Sequence, residues 1–183
     1  YPRYKITMDM EVPFLFTNED FYVVTNAFKN SLFLQRIINQ YDPSFITVSI
    51  NNTFFRDAMT SFSQYRIVFF DDCEVLYVNS NKHLDVAKKY GITSFDPFRL
   101  AQTSIASIKA LDDFFPIKKE LLRIAGIYPH NAITNNCLSV FYSREGNHEA
   151  AIPYVDNIIM NYPESATGYI LKGDILQETG RLD

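Results

Sequence analysis

The feature that most constrains this chain is a motif that recurs at fixed spacing near its end. Tyr128-Pro129 is followed by Tyr162-Pro163 at an offset of 34 (163 − 129), and Gly146 is followed by Gly180 at the same offset (180 − 146). Self-similarity at a fixed period of about 20 to 50 residues indicates supersecondary units that stack on one another. The C-terminal part of the chain is therefore predicted to be an array of such units.

Apolar residues follow the same offset and have the i, i+4, i+7 spacing of one helix face. They are Ile117, Leu121 and Ile124 and, 34 residues later, Ala151, Val155 and Ile158. Three units are predicted: a degenerate one over about 98–131, the best match over 132–165, and a third over 166–183 that is cut off after its first helix. Terminal units are expected to be atypical because they cap the stack.

With Leu138 and Tyr142 in its first helix, the best unit resembles the tetratricopeptide repeat, a helix–turn–helix unit of ~34 residues. The resemblance implies an all-α array of helical hairpins over 96–183. It also implies a non-catalytic scaffold that binds a protein or peptide partner. Two positions depart from the family pattern, because Ser139 stands where Gly or Ala is usual and Lys172 where a packed Leu is usual.

Proline positions refine the predicted helices. A helix is predicted over 98–110, and Pro116 sits where the first turn of the next helix tolerates it. Pro153 falls inside the second helix of the best unit, where an interior Pro costs ~3 kcal/mol or kinks the helix. We expect this helix to start late, which would place Pro153 in its first turn.

The resemblance also implies a binding surface, because in this family the first helices of successive repeats line a concave groove. Carried over by position, the groove residues are Arg99, Gln102, Ala106, Lys109, Ile133, Asn136, Val140, Ser143, Ile170, Asp174 and Gln177. This mixture of amide, charged and aliphatic groups could hold an extended peptide or a helix. The alternative is that the repeats only stack against the N-terminal half and bind nothing.

The N-terminal half, residues 1–95, alternates between strand and helix patterns. Strands are predicted at 4–8, 45–50, 65–70 and 74–78, and helices at 17–41, 54–62 and 82–90. Thr17 and Asp20 form a capping box at the start of the first helix, which must end before Pro43. Gly91 ends the last of these helices.

The order of these elements predicts a small α/β domain. Strand–helix–strand connections can be right-handed crossovers that place strands in parallel, whereas the turn at Asp71-Asp72 makes 65–70 and 74–78 an antiparallel hairpin. A mixed sheet with flanking helices follows. The nearly continuous apolar run at 65–70 is typical of a strand covered on both faces. We expect residues 91–98 to form a packed junction with the helical array.

A second resemblance concerns the N-terminal half. Its order of parts, and the segment 65–78 (YRIVFFDDCEVLYV) as strand, acidic turn and strand, resemble the soluble C-terminal domains of multi-span bacterial membrane proteins similar to polyprenyl-phosphate-dependent glycosyltransferases. This resemblance implies a fragment of a longer protein, with the membrane spans and catalytic residues upstream of this sequence. The domain formed by this sequence would then face the extracytoplasmic side of a bacterial membrane; without the resemblance the expected location is cytoplasmic. The alternative function is then an accessory substrate- or acceptor-binding domain of such an enzyme.

Composition excludes several other classes. The net charge is −4 and no block of Lys and Arg occurs, so a nucleic-acid partner is not expected. No run of apolar residues approaches the ~20 of a membrane span, so any membrane contact would come through segments outside this sequence. No glycine-rich phosphate loop or Gly-x-Ser-x-Gly elbow is present, and no cofactor is predicted.

The remaining candidate sites each have a simpler structural interpretation. Asp71, Asp72 and Glu74 could form a carboxylate cluster for a metal or for acid–base work, but a turn between apolar strands needs small polar residues anyway. Cys73 and Cys137 show no paired base, no CxxC and no zinc spacing, so buried thiols are expected. No metal site and no catalytic residue are predicted.

Overall fold

The computed structural model describes residues 17–181 of the chain. Helices dominate this range, and one small sheet lies in its N-terminal half. The helices are α1 Asn18–Ala27, α2 Ser31–Tyr41, α3 Thr53–Met59, α4 Leu84–Tyr90, α5 Pro97–Gln102, α6 Ile105–Lys109, α7 Phe115–Ile127, α8 Ala132–Arg144, α9 His148–Asn161 and α10 Ala166–Glu178. The strands are β1 Phe45–Ser49, β2 Tyr65–Phe70 and β3 Glu74–Asn79. The strand predicted at 4–8 lies outside the described residues.

The N-terminal helical segment is a hairpin of two helices. The capping box at Thr17 and Asp20 is confirmed, since each side chain bonds the backbone N–H of the other. The prediction of one helix up to Tyr41 is wrong, because Asn30 accepts a hydrogen bond from the N–H of Leu32 at 2.9 Å and starts a new helix. A polar residue that caps a helix competes locally with continuation of the preceding one.

The sheet is purely antiparallel, with strand order β1-β3-β2, so the predicted mixed sheet is wrong. β1 and β2 do run in the same direction, but β3 returns from its turn into the position between them. Val75 and Val78 on β3 are fully buried and Tyr77 is 5% exposed. The central position gives β3 ladder hydrogen bonds along both of its edges, in the slightly stronger antiparallel geometry.

Strand β2 lies at an edge of the sheet, and the expectation that both of its faces are covered holds except at one residue, since five of its six residues are buried or half-buried. Arg66 on β2 is exposed, and the pairing with β3 shifts by one residue between Ile67 and Phe69. Such an irregularity interrupts strict alternation along a strand. The N–H of Ile92 donates a 2.8 Å hydrogen bond to the carbonyl of Ile67, which partly closes this outer edge.

The C-terminal half contains helices only, and two of its predictions are corrected. The helix predicted over 98–110 is divided into α5 and α6, because the hydroxyl of Ser104 accepts from the N–H of Ser107 and starts α6. Pro116 lies in the first turn of α7, as predicted. Pro153, however, lies inside α9, because Asn147 caps that helix and fixes an early start. Pro153 is exposed, so water can replace the hydrogen bond it cannot make.

One hydrophobic core runs from the sheet into the helices. The rings of Tyr77 on β3 and Phe98 on α5 lie 6.5 Å apart, and those of Phe70 on β2 and Phe95 lie 5.7 Å apart. The two halves therefore share a core across 91–98, while the domain division at residue 95 stays a prediction. In the described range, no helix combines the length and the apolar character needed to cross a membrane.

Candidate functional site

The 34-residue spacing in the sequence corresponds to repeated backbone geometry. Tyr128 ends α7 and Tyr162 ends α9, and each backbone N–H donates a 2.8 Å hydrogen bond to the carbonyl four residues earlier. Gly146 and Gly180 have φ values of 72° and 68°, in the left-handed region that glycine adopts without steric cost. Residues related by the period therefore occupy equivalent conformations.

The turns that contain these two glycines also share a hydrogen bond. After α8, the N–H of Asn147 donates to the carbonyl of Tyr142 at 2.9 Å, and after α10 the N–H of Arg181 donates to the carbonyl of Leu176 at 2.8 Å. These two pairs are again 34 positions apart (176 − 142 and 181 − 147). The chain consequently leaves α8 and α10 through the same reversal.

Four predicted groove residues lie around one cavity, which we call the groove cavity. It has a volume of about 140 Å³ and lies among α6, α8 and α10. Its lining residues are Lys109, Val140, Ser143 and Asp174, all four predicted, together with Arg144, Leu171, Ile175 and Glu178. Side chains from three helices therefore surround a single depression.

The other predicted groove residues lie outside this cavity. Ile133 on α8 is half-buried. Five others, on α5, α6 and α10, are exposed: Arg99, Gln102, Ala106, Ile170 and Gln177. Asn136 is half-buried one turn before Val140, and its Oδ1 makes no hydrogen bond to any residue in 17–181. Of the eleven groove residues predicted by position, four therefore line the groove cavity and seven do not.

The groove cavity has charged sides of opposite sign. Lys109 on α6 and Arg144 on α8 supply cations, while Asp174 and Glu178 on α10 supply carboxylates. The Nζ of Lys109 lies 2.9 Å from Oδ2 of Asp174, and each side chain is 43% exposed. An ion pair with this exposure contributes roughly 0–1 kcal/mol, because water screens it. It is therefore a contact that another charged group can replace at little cost.

Arg144 was not predicted and is held in place at the rim. Its Nη1 donates to the carbonyl of Leu111 at 2.6 Å, and its guanidinium carbon lies 4.4 Å from the ring centroid of Phe114. A guanidinium over an aromatic face is attracted by the ring quadrupole. The cation therefore has a fixed position. The sequence contains a signal for Arg144, because it is the neighbour of the predicted groove residue Ser143. The repeat pattern alone, however, does not show that the long Arg144 side chain reaches the cavity.

The base of the groove cavity consists of aliphatic side chains that expose only a few per cent of their surface. Val140, Leu171 and Ile175 are 1%, 3% and 2% exposed. Leu171 and Ile175 follow Cys137 and Phe141 of α8 by 34 positions (171 − 137 and 175 − 141), so the period could have indicated them. An apolar base under charged sides is an arrangement that can bind a side chain of a polypeptide and orient the residues around it.

The acidic turn between β2 and β3 anchors α8, which forms one side of the groove cavity. The Asp72 carboxylate accepts hydrogen bonds from the N–H groups of Ala132 at 3.0 Å and Ile133 at 3.1 Å. It thereby satisfies two of the N–H groups that a helix start leaves unpaired and places a negative charge at the positive end of the helix dipole. The hydroxyl of Tyr162 donates to the same carboxylate.

Neighbouring side chains complete this joint between the sheet and the helices. Asn131, which caps α8, is fully buried and donates from Nδ2 to the carbonyl of Phe70 at 3.0 Å. Asp71 accepts from the N–H groups of Cys73 and Glu74, which is the turn role expected for it. Asp72 differs from that expectation, because its partners lie on a helix 60 positions away.

The side chains that could take part in catalysis are the two cysteines and the tyrosine that contacts Asp72. Burial raises the pKa of the Cys137 thiol to about 12, so little thiolate exists near neutral pH. Cys73 is exposed, contrary to the expectation of a buried thiol, and both cysteines are free. Burial, followed by the hydrogen bond to Asp72, raises the pKa of Tyr162. Among residues 17–181, no group of His, Cys, Asp and Glu has the arrangement of a metal site.

Comparison with protein-family models, with curated proteins and with solved structures yields no match to this chain.

Proposed function

We propose that this chain is a non-catalytic protein-interaction module, built as a short tetratricopeptide-like array of helical hairpins on a small sheet. A partner polypeptide binds along the groove formed by α6, α8 and α10. The observation that carries the proposal is the groove cavity, because Lys109, Val140, Ser143 and Asp174, which were carried over by position from the repeat resemblance, line one depression. That coincidence is expected of a repeat array and not of unrelated helices.

The rigidity of the groove supports a binding role. Asp72 and Asn131 fix the start of α8 on the sheet, and Arg144 fixes its other end against Leu111. A surface that is ordered before binding avoids much of the entropic cost of association. The sheet then serves as the base that holds the groove helices, and the Asp72 joint is part of the binding module.

The surroundings of the reactive groups also favour a non-catalytic role. Asp72 is engaged as a helix cap, and Cys137 is a buried thiol with a raised pKa. A catalytic carboxylate or thiol needs access to substrate and a tuned pKa. Both oxygens of Asp72 are engaged by hydrogen bonds, and the Cys137 thiol is buried, so neither group is open to a substrate.

We also propose that the chain belongs to a larger, membrane-anchored protein. This part of the proposal rests on the resemblance of the N-terminal half to soluble domains of multi-span bacterial membrane proteins. Its test is the full-length reading frame, where about ten apolar spans ahead of this sequence would support it. Further repeats and no spans would instead support a soluble scaffold.

Binding at the groove is tested by selecting displayed random peptides against the purified chain and measuring the affinity of the selected peptides by calorimetry. Ser143→Arg places a long cation at the rim of the groove cavity, and we expect at least a tenfold loss of affinity. Lys119→Ala is the matched control, since Lys119 is exposed on α7 and does not line the cavity. Equal affinities of the selected peptides for the natural chain, Ser143→Arg and Lys119→Ala would overturn the groove proposal.

A further inference from the structure

The shape of the groove cavity limits what can enter it. A cavity of about 150 Å³ lined by apolar side chains holds one molecule of benzene, and the groove cavity, at about 140 Å³, is of that size. Its base consists of the aliphatic side chains of Val140, Leu171 and Ile175. One apolar side chain the size of Leu therefore fits, and a helix or strand does not enter as a whole.

Charge on the sides of the cavity sets the residues next to that side chain. The cations Lys109 and Arg144 belong to α6 and α8, whereas the carboxylates Asp174 and Glu178 belong to α10. A ligand that crosses the groove thus meets positive charge on one side of its apolar residue and negative charge on the other. Complementary charges on the ligand fix its direction and exclude the reverse orientation.

The Lys109–Asp174 ion pair is the group that the ligand must replace. Both members line the cavity, they lie 2.9 Å apart, and each is 43% exposed. Opening this pair leaves one ammonium and one carboxylate free on opposite sides. A ligand carboxylate can then pair with Lys109 while a ligand ammonium or guanidinium pairs with Asp174, so that one exposed pair is exchanged for two.

From these observations we propose that the groove cavity binds a polypeptide segment in which one Leu-sized apolar residue is flanked by an acidic residue on one side and a basic residue on the other. The acidic residue pairs with Lys109, and the basic residue pairs with Asp174. This inference rests on the proposed function, since it names the partner class of the same groove.

The test is a charge swap that preserves the ion pair. Lys109→Glu combined with Asp174→Lys keeps the intramolecular pair and reverses the charge on each side. A peptide selected from the random library against the natural chain should contain the acidic, apolar and basic residues. It should bind the swapped variant at least tenfold more weakly, and exchanging its acidic and basic residues should restore most of the affinity.

The chain offers a matched control. Lys172 on α10 and Asp156 on α9 form a second ion pair at 2.8 Å, with side chains 41% and 50% exposed, away from the groove cavity. Lys172→Asp with Asp156→Lys should leave the affinity within twofold. Thermal melts check that both swapped variants fold, and Lys109→Ala alone provides a second variant that should weaken only peptides with the acidic residue.

The possible outcomes separate this inference from the proposed function. Peptides that Ser143→Arg blocks but the charge swap leaves unaffected would keep the groove as the binding site and overturn the charged partner class. A selected consensus without opposite charges would do the same. Failure to select any peptide that Ser143→Arg blocks would overturn both proposals.

Discussion

The hydroxyl of Tyr162, at the end of α9, donates a hydrogen bond to the carboxylate of Asp72, in the turn between β2 and β3. The two residues are 90 positions apart in the chain. Because Asp72 also caps α8, a single carboxylate joins the sheet to two helices that belong to the predicted best unit. The position of the groove cavity therefore depends on a residue of the turn between β2 and β3.

Removing this carboxylate should destabilise the whole chain. Asp72→Ala leaves two N–H groups of α8 and the Tyr162 hydroxyl without their acceptor, and we expect a loss of about 2–3 kcal/mol in the free energy of unfolding. Urea denaturation measures it. Glu74→Ala, at an exposed acidic residue that begins β3, should change stability by less than about 0.5 kcal/mol. Equal effects of the two substitutions would contradict the joint.

Alkaline pH should unfold the chain through its buried tyrosines. Burial raises the pKa of Tyr65 to about 12, and burial also raises the pKa values of Tyr77 and Tyr162, with the carboxylates of Asp96 and Asp72 adding to the effect. An unfolded tyrosine has a pKa of about 10. Raised folded values mean that the unfolded chain releases its phenolic protons first, so stability is fully present below about pH 10 and falls between about pH 10 and 12.

Urea denaturation at a series of pH values measures this dependence. Tyr65→Phe should flatten the decline above about pH 10, since Phe has no proton to release, although it also removes the hydrogen bond from the Tyr65 hydroxyl to the carbonyl of Pro43. Stability that is constant from about pH 8 to 12 would refute the assignment.

Local signals in the sequence predicted the features that depend on local geometry. The capping box at Thr17, the first-turn Pro116 and the 34-residue relation between Gly146 and Gly180 all rest on contacts between residues close in the chain. The helix face that carries Val140 and Ser143 follows from helical periodicity in the same way. These predictions needed no knowledge of how the elements pack.

Features that depend on distant parts of the chain were missed or wrongly predicted. The strand order places β3 between β1 and β2, and no local pattern distinguishes this from an outer position. The sequence around Asp72 indicates a turn residue, and only the fold shows that α8 begins beside it and donates hydrogen bonds to its carboxylate. The sequence predicts Pro153 in a first turn because proline is tolerated there, whereas the side chain of Asn147 decides where α9 begins.

The turn after α8 should require glycine. Gly146 has a φ of 72°, and a Cβ built there would meet no described atom within 4 Å, so any cost of Gly146→Ala is conformational. We expect a loss of about 1 kcal/mol. Gly126→Ala is the matched substitution, because Gly126 lies in α7 with equally free surroundings, and it should gain roughly 0.5–1 kcal/mol. Thermal denaturation should show shifts of opposite sign, and a shared sign would disprove the left-handed turn.

The distance between α9 and α10 should depend on the absence of a side chain at Gly168. A Cβ built on this residue would lie 2.8 Å from Cγ1 and 3.3 Å from the backbone nitrogen of Ile159, so Gly168→Ala forces α10 away from α9. Overpacking of this kind costs about 1–3 kcal/mol. Gly173→Ala, on the same helix, meets no described atom within 4 Å and should be neutral or stabilising.

The same substitution should reach the groove cavity, because α10 carries Asp174. Movement of α10 lengthens the Lys109–Asp174 contact, which is 2.9 Å in the natural chain. We expect Gly168→Ala to weaken groove peptides at least fivefold at a temperature where the chain is still folded, and Gly173→Ala to leave them within twofold. NMR of the Lys109 ammonium, whose exchange and shift report its ion pair, measures the contact directly. Unchanged Lys109 signals in the Gly168→Ala variant would show that the position of α10 does not control the cavity.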